Sequence, residues 1–143
     1  MSKNFQKETG IAVPLFSLPG KYGVGDLASL RDLIHRICNF PVDIIQFLPL
    51  NCLGPFEISP YSSISAFANE IIYIDIDLLT ATSVIPEQLE SNMKVDYANA
   101  RKIKTSVLRD SYKSFLNSSG NKESLSFEQF KSDQNHWLKP YCN

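Results

Sequence analysis

Residues 43 to 67 read D-I-I-Q-F-L-P-L-N-C-L-G-P-F-E-I-S-P-Y-S-S-I-S-A-F. The opening run from Ile44 to Leu48 is short, apolar and stopped by Pro49, which predicts a strand covered on both faces, as in parallel α/β sheets and barrels. Gln46 interrupts that run; a buried amide costs on the order of 1–3 kcal/mol if unpaired, so it needs a hydrogen-bond partner, as a satisfied core amide or in direct ligand contact. The remainder is polar, aromatic and stiffened by proline, and reads as a loop that the strand delivers to a binding surface. Within it, Ser59-Pro60-Tyr61 sets a proline-fixed backbone beside a ring that carries a hydroxyl. Such a ring can stack on the apolar face of a sugar and hydrogen-bond its rim, or can simply pack.

Upstream, residues 10 to 27 read G-I-A-V-P-L-F-S-L-P-G-K-Y-G-V-G-D-L. Ile11 to Val13 suits a short strand, whereas Pro14 and Pro19 remove backbone donors and predict a stiff irregular segment. The glycines fall as G-x-x-G-x-G without a following G-K-[ST], so the phosphate-loop pattern is not met. Asp26 stands at an N-cap position ahead of Leu27, Leu30, Leu33, Ile34 and Ile37, whose spacing predicts a helix. His35 lies on its wet side, where a lone histidine is a solvated helix residue rather than a ligand or base.

Downstream, Ile71 to Ile76 predicts a second strand with Asp75 and Asp77 near its end; acid/base or metal chemistry is conceivable there, but a strand terminus explains the pair equally well. Pro86 to Leu89 suits a first helical turn. Asp96 caps a longer helix through about Asn117, with Ala100, Ile103, Val107, Leu108, Phe115 and Leu116 on its apolar side and Arg101, Lys102, Lys104 and Lys113 on its solvated side. Residues 117–124 read as a linker, and Ser126 with Gln129 as a capping box for a final short helix carrying Phe127 and Phe130. His136 and Trp137 follow close to the end.

Composition narrows the partners. With 143 residues, 43% hydrophobic and 20% charged, the chain is sized and composed for one compact domain. Its formal net charge of -1 offers no electrostatic drive toward nucleic acid or an anionic membrane. Cys38, Cys52 and Cys142 match no zinc or redox spacing and predict free thiols in a reducing compartment. The N-terminus lacks the apolar core of a signal peptide and no run is long enough to span a bilayer, so the expectation is a cytoplasmic protein. Neither metal nor cofactor is expected.

Taken in order, G-I-A-V-P-L-F-S-L-P-G-K-Y-G-V-G-D-L, I-I-Q-F-L-P-L, S-P-Y-S-S-I-S-A-F-A, Y-I-D-I, P-E-Q-L, V-D-Y and F-E-Q-F with W-L resemble the 4-alpha-glucanotransferases, or amylomaltases, of glycoside hydrolase family 77. The resemblance covers nearly the whole chain. It implies an α/β fold: the N-terminal fragment of a (β/α)8 TIM barrel, residues 1–143, whose first strand is Ile44 to Leu48 and whose active face carries the S-P-Y loop. It further implies retaining transfer of α-1,4-glucan segments to an acceptor glucose or glucan, with Tyr61 and Ser59 near the donor sugar and Pro60 holding the turn.

This chain departs from the family pattern at Pro14 and Leu15, at Asn69, Glu70 and Ile71, and at Arg101, which stands where some members place one of the two aromatics of a second glucan site. A complete barrel takes about 250 residues, so the barrel is not closed here and strand edges are left free for self-association. The family's nucleophilic aspartate, acid/base glutamate and second aspartate match no position, and no catalytic residue is assigned. Asp26, Asp43, Glu57, Asp75 and Asp77 are no substitute. The other reading is a non-catalytic glucan-binding or interaction module.

Overall fold

The computed structural model describes residues 7–79, 94–117 and 122–142. Strand β1 (Gly10–Ala12) pairs in parallel with β2 (Ile44–Gln46), setting Gly10 against Ile44, Ile11 against Ile45 and Ala12 against Gln46. The pairing is anchored at its start by Asp43, whose carboxylate accepts from Thr9 N–H at 2.8 Å while its own N–H donates to Thr9 O at 2.8 Å. Helix α1 (Leu27–Ile37) crosses between the two strands, the connection that a parallel pair requires.

The strand expected to be first is therefore second in the chain, and it ends at Gln46 rather than Leu48. Nor is it covered on both faces: Ile44 is 48% exposed and Gln46 is exposed. The reason is that the sheet of the described residues has two strands, so both edges and the face bearing Ile44 and Gln46 stay open. The amide that would have needed a buried partner faces solvent instead.

The core forms outside the two-stranded sheet. Leu15, Val24, Ile72, Tyr73 and Ala100 are buried together, with Phe16, Leu18, Leu30, Phe47 and Tyr97 packed around them. A second cluster joins Tyr22, Ile76 and Val107. Close backbone approach explains the glycines of the proline-rich segment: a Cβ on Gly20 would stand 1.8 Å from Val24 O, and one on Gly25 2.2 Å from Leu15 O.

Ile71 to Ile76 is not a strand but two successive 3-10 turns, Ile71–Tyr73 and Ile76–Leu78. Adjacent residues Ile72 and Tyr73 are both buried, which the alternating faces of a strand do not allow on one side. The carbonyls of Ile72 and Ile74 accept from Lys104 Nζ, each at 2.7 Å, in place of a neighbouring strand.

Lys104 belongs to helix α2 (Tyr97–Asn117), whose start is fixed by Asp96 accepting from Asn99 N–H at 3.0 Å. Placing Lys104 on the solvated side was wrong: the side chain is fully buried and its ammonium meets Asp26 Oδ2 at 2.6 Å. Asp26 does double duty. Its Oδ1 caps α1 by accepting from Ala28 and Ser29 N–H, and Ser29 Oγ accepts in return from Asp26 N–H. The ion pair thus locks the start of α1 against α2 and the 3-10 turns.

Helix α3 (Lys122–Asp133) opens within the stretch read as a linker, and α4 (Asn135–Cys142) follows it. Ser126 lies inside α3 rather than at its start, and Gln129 Nε2 donates to Asp133 Oδ1 at 2.7 Å. A helix already propagating has no free N–H for a cap at that point. Phe127 packs edge-on against Phe115, joining α3 to α2. The helical turn expected over Pro86 to Leu89 lies outside the described residues.

Candidate functional site

The polar, aromatic loop after β2 folds back on itself. Asn51 bridges Asn69 and Leu53 bridges Ser63 in antiparallel fashion, with Cys52 N–H donating to Ala68 O at 2.7 Å, Ile64 N–H to Cys52 O at 2.9 Å and Glu70 N–H to Leu50 O at 2.9 Å. Residues 54–62 form the tip of this ladder. Within the tip, Ser62 N–H donates to Ser59 O at 3.0 Å, closing a turn with Pro60 and Tyr61 at its two central positions. Proline favours the first of these because its φ is already that of a turn.

Tyr61 is 72% exposed, while Ser59 and Pro60 are half-buried beneath it. Phe56, Ile58, Ile64 and Phe67 of the same loop are also exposed. The three residues singled out in sequence therefore sit in one turn and present a rigid aromatic ring with its hydroxyl free, among apolar neighbours. That surface suits a ligand with apolar faces and a polar rim.

Beneath the turn lies a pair that the sequence did not reveal. Glu70 is buried; its Oε2 accepts from Leu53 N–H at 2.8 Å and its Oε1 from Arg101 Nε at 3.2 Å. Arg101 Nη1 donates to Pro55 O at 2.8 Å. Arg101 had been assigned to the solvated side of α2, yet it reaches inward to the loop. Glu70 and Arg101 are thus bonded to each other. The available signal was a single carboxylate at the junction of the loop with the apolar run I-I-Y.

The other side of the loop rests on α4. Phe67 stacks on Trp137 with ring centroids 5.8 Å apart, and Tyr141 Oη donates to Cys52 Sγ at 3.0 Å. That bond, followed by burial, pushes the Tyr141 phenol up to about 12. His35 is exposed on α1, as read from its spacing, and Cys38, Cys52 and Cys142 are free thiols.

Asp26, Asp75 and Asp77 are engaged elsewhere. Asp26 holds Lys104, Asp75 meets Arg31 and caps Asp77 N–H, and Asp77 accepts from Lys21 and from Tyr22 Oη. The Lys21 and Tyr22 hydrogen bonds hold the Asp77 carboxyl below its ordinary value, whereas desolvation and the same carboxylate raise the Tyr22 phenol. No group of three or more His, Cys, Asp and Glu suited to a metal ion occurs among the described residues. Among them, too, no helix is long and apolar enough to cross a membrane.

An amylomaltase from Streptococcus agalactiae, solved in complex with acarbose, superposes on this fold with a TM-score of 0.74 at 28% sequence identity, over 91% of this chain and 27% of that one. The family model Glyco_hydro_77, described as 4-alpha-glucanotransferase, matches residues 13–143, and the chain belongs to this family. A 4-alpha-glucanotransferase of Chlamydia pneumoniae is 33% identical over 92% of this chain and 27% of its own length. One from Oryza sativa subsp. japonica is 31% identical over 93% of this chain and 15% of its own length. The chain therefore spans about a quarter or less of these relatives.

Proposed function

We propose that this chain is the N-terminal part of a (β/α)8-barrel 4-alpha-glucanotransferase, with β1, α1 and β2 as the first elements of the barrel and the Ser59-Pro60-Tyr61 turn as a glucan-contacting edge of its active face. One observation carries this reading: the family match spans the stretch that builds the exposed turn, and that turn lies in the loop leaving the C-terminal end of β2, the end at which barrel enzymes assemble their sites. The substrates are α-1,4-glucans, maltooligosaccharides among them. Three free thiols accord with a cytoplasmic place of action.

The reaction is retaining transfer: one carboxylate attacks the anomeric carbon, a second group protonates the leaving oxygen, and an acceptor hydroxyl then takes the place of water. The part played by this chain's own residues is to bind and orient the donor. Tyr61 stacks against a sugar ring, Ser59 lies beside it, and Pro60 fixes both, so that little entropy is lost on binding. The catalytic carboxylates have no counterpart here, and without a nucleophile and acid/base pair the isolated chain does not turn over. Purified chain incubated with maltotriose releases no glucose above a boiled control; release that survives repurification overturns this.

A second reading is a non-catalytic glucan-binding or interaction module. It is favoured by one observation, that the turn is closed by bonds within residues 50–70 and needs no later strand. Downstream DNA separates the two. A continuation encoding the three missing carboxylates supports the enzyme, and unrelated sequence after a clean stop supports the module.

A further inference from the structure

We propose that Glu70 and Arg101 are positioning residues that strap helix α2 to the tip of the loop and so fix the Ser59-Pro60-Tyr61 turn for glucan; the glucan half of this rests on the function proposed above. The ladder ties the loop together only as far as the Leu53–Ser63 bridge. Beyond it, residues 54–62 are held by two internal bonds, Glu57 N–H to Gly54 O and Ser62 N–H to Ser59 O. Among the described residues, the hydrogen bond from Arg101 Nη1 to Pro55 O is the one polar tie from this tip to another element.

The geometry of the strap explains why both side chains are needed. Glu70 is 2% exposed and carries its charge beneath the loop, where it is tolerable only with a cation and N–H donors around it. Leu53 N–H and Arg101 Nε supply them. Binding Nε to Glu70 orients the planar guanidinium so that Nη1 reaches Pro55, four residues before Ser59. A lysine carries its donors on one nitrogen and lacks the guanidinium's fixed fork, so at this site it neutralises Glu70 but has no second nitrogen to reach Pro55 O, as Nη1 does. The strap thus makes the height of the turn depend on α2, a helix with no residue in the turn itself.

Amide hydrogen exchange on the 143-residue chain, with Arg101→Lys and Arg101→Ala, tests this without sugar. Arg101→Lys keeps the buried charge compensated and so keeps the fold. The Glu57 and Ser62 amides then exchange about tenfold faster, the gain expected from losing one hydrogen bond, while Ala100 and Leu30 are unchanged. Maltoheptaose is the probe for the second arm: Arg101→Lys weakens its binding, and combining it with Tyr61→Ala weakens it no further than Tyr61→Ala alone. Unchanged Glu57 and Ser62 exchange in both variants overturns the strap, as does acceleration shared equally by Ala100 and Leu30. Failure of maltoheptaose to bind the unsubstituted chain counts against the proposed function, and the exchange result still decides the strap.

Discussion

Two side chains of this protein invert the usual relation between residue type and environment. Tyr61, a large aromatic, is 72% exposed, and Lys104, a cation, is fully buried. For Tyr61 the consequence is that truncation removes little packing: Tyr61→Ala changes stability by less than about 0.5 kcal/mol, against about 3–5 kcal/mol for a buried aromatic. Urea titration of the variant checks this, and a loss in the larger range removes Tyr61 from the surface. For Lys104 the expectation is the opposite. Lys104→Ala leaves Asp26 uncompensated and the carbonyls of Ile72 and Ile74 without their donor, at a cost of about 3–5 kcal/mol. Burial lowers the Lys104 ammonium while the Asp26 bond opposes that shift. Pairing Lys104→Met with Asp26→Asn therefore recovers part of the loss, since no lone charge remains buried, and denaturant midpoints of the two variants measure the difference.

The elements of this protein are short, and they are held by side chains reaching between them more than by their own ladders. The strands are three residues each, and the 3-10 turns that follow the loop are held by polar contacts from three directions. Asp77, in the second turn, ties that turn to the glycine-rich segment through Lys21 and Tyr22. Its carboxyl lies below the ordinary 3.8 when folded, because those two hydrogen bonds favour the charged form. A carboxyl lowered by folding stabilises the protein at all pH above its unfolded value, and that stabilisation is lost as pH falls through the folded value. Asp77→Asn removes this contribution, so its melting temperature falls less steeply than the parent's between about pH 5 and pH 2. Parallel slopes for the two proteins across that range would exclude Asp77 as a source of acid sensitivity.

At the scale of the molecule, the packing is one-sided. The core is formed by the proline-rich segment, the 3-10 turns and α2, while Ile11 and Ile45 of the strands are only half-buried. Ile44, Leu27, Ile34 and Phe40 remain between 43% and 63% exposed around the open side. A parallel pair with a free edge and uncovered apolar residues invites association. The isolated chain therefore elutes larger than a 16.1 kDa monomer in size-exclusion chromatography at micromolar concentration, and its thermal transition shifts with concentration. A monodisperse monomer with a sharp, concentration-independent melt would show that the open side is tolerated.

Local signals in the sequence determined the local features. The spacing of Leu27 to Ile37 behind Asp26 specified α1 and its cap, Asp96 specified the start of α2, and Pro60 beside Tyr61 specified a rigid turn, because caps, helical periodicity and proline act within a few residues. The family could also be read from the ordered motifs. Only tertiary structure decided the rest. Lys104 and Arg101 look like any cations on an amphipathic helix until Asp26, 78 residues away, and Glu70, 31 residues away, are brought to them. The apolar run from Ile71 to Ile76 became turns rather than a strand because a buried ammonium, not a neighbouring strand, took its carbonyls. Ile44 and Gln46 became exposed because coverage of a strand depends on which elements pack against it, and that is a property of the assembled layers, which no window of residues 44–48 contains.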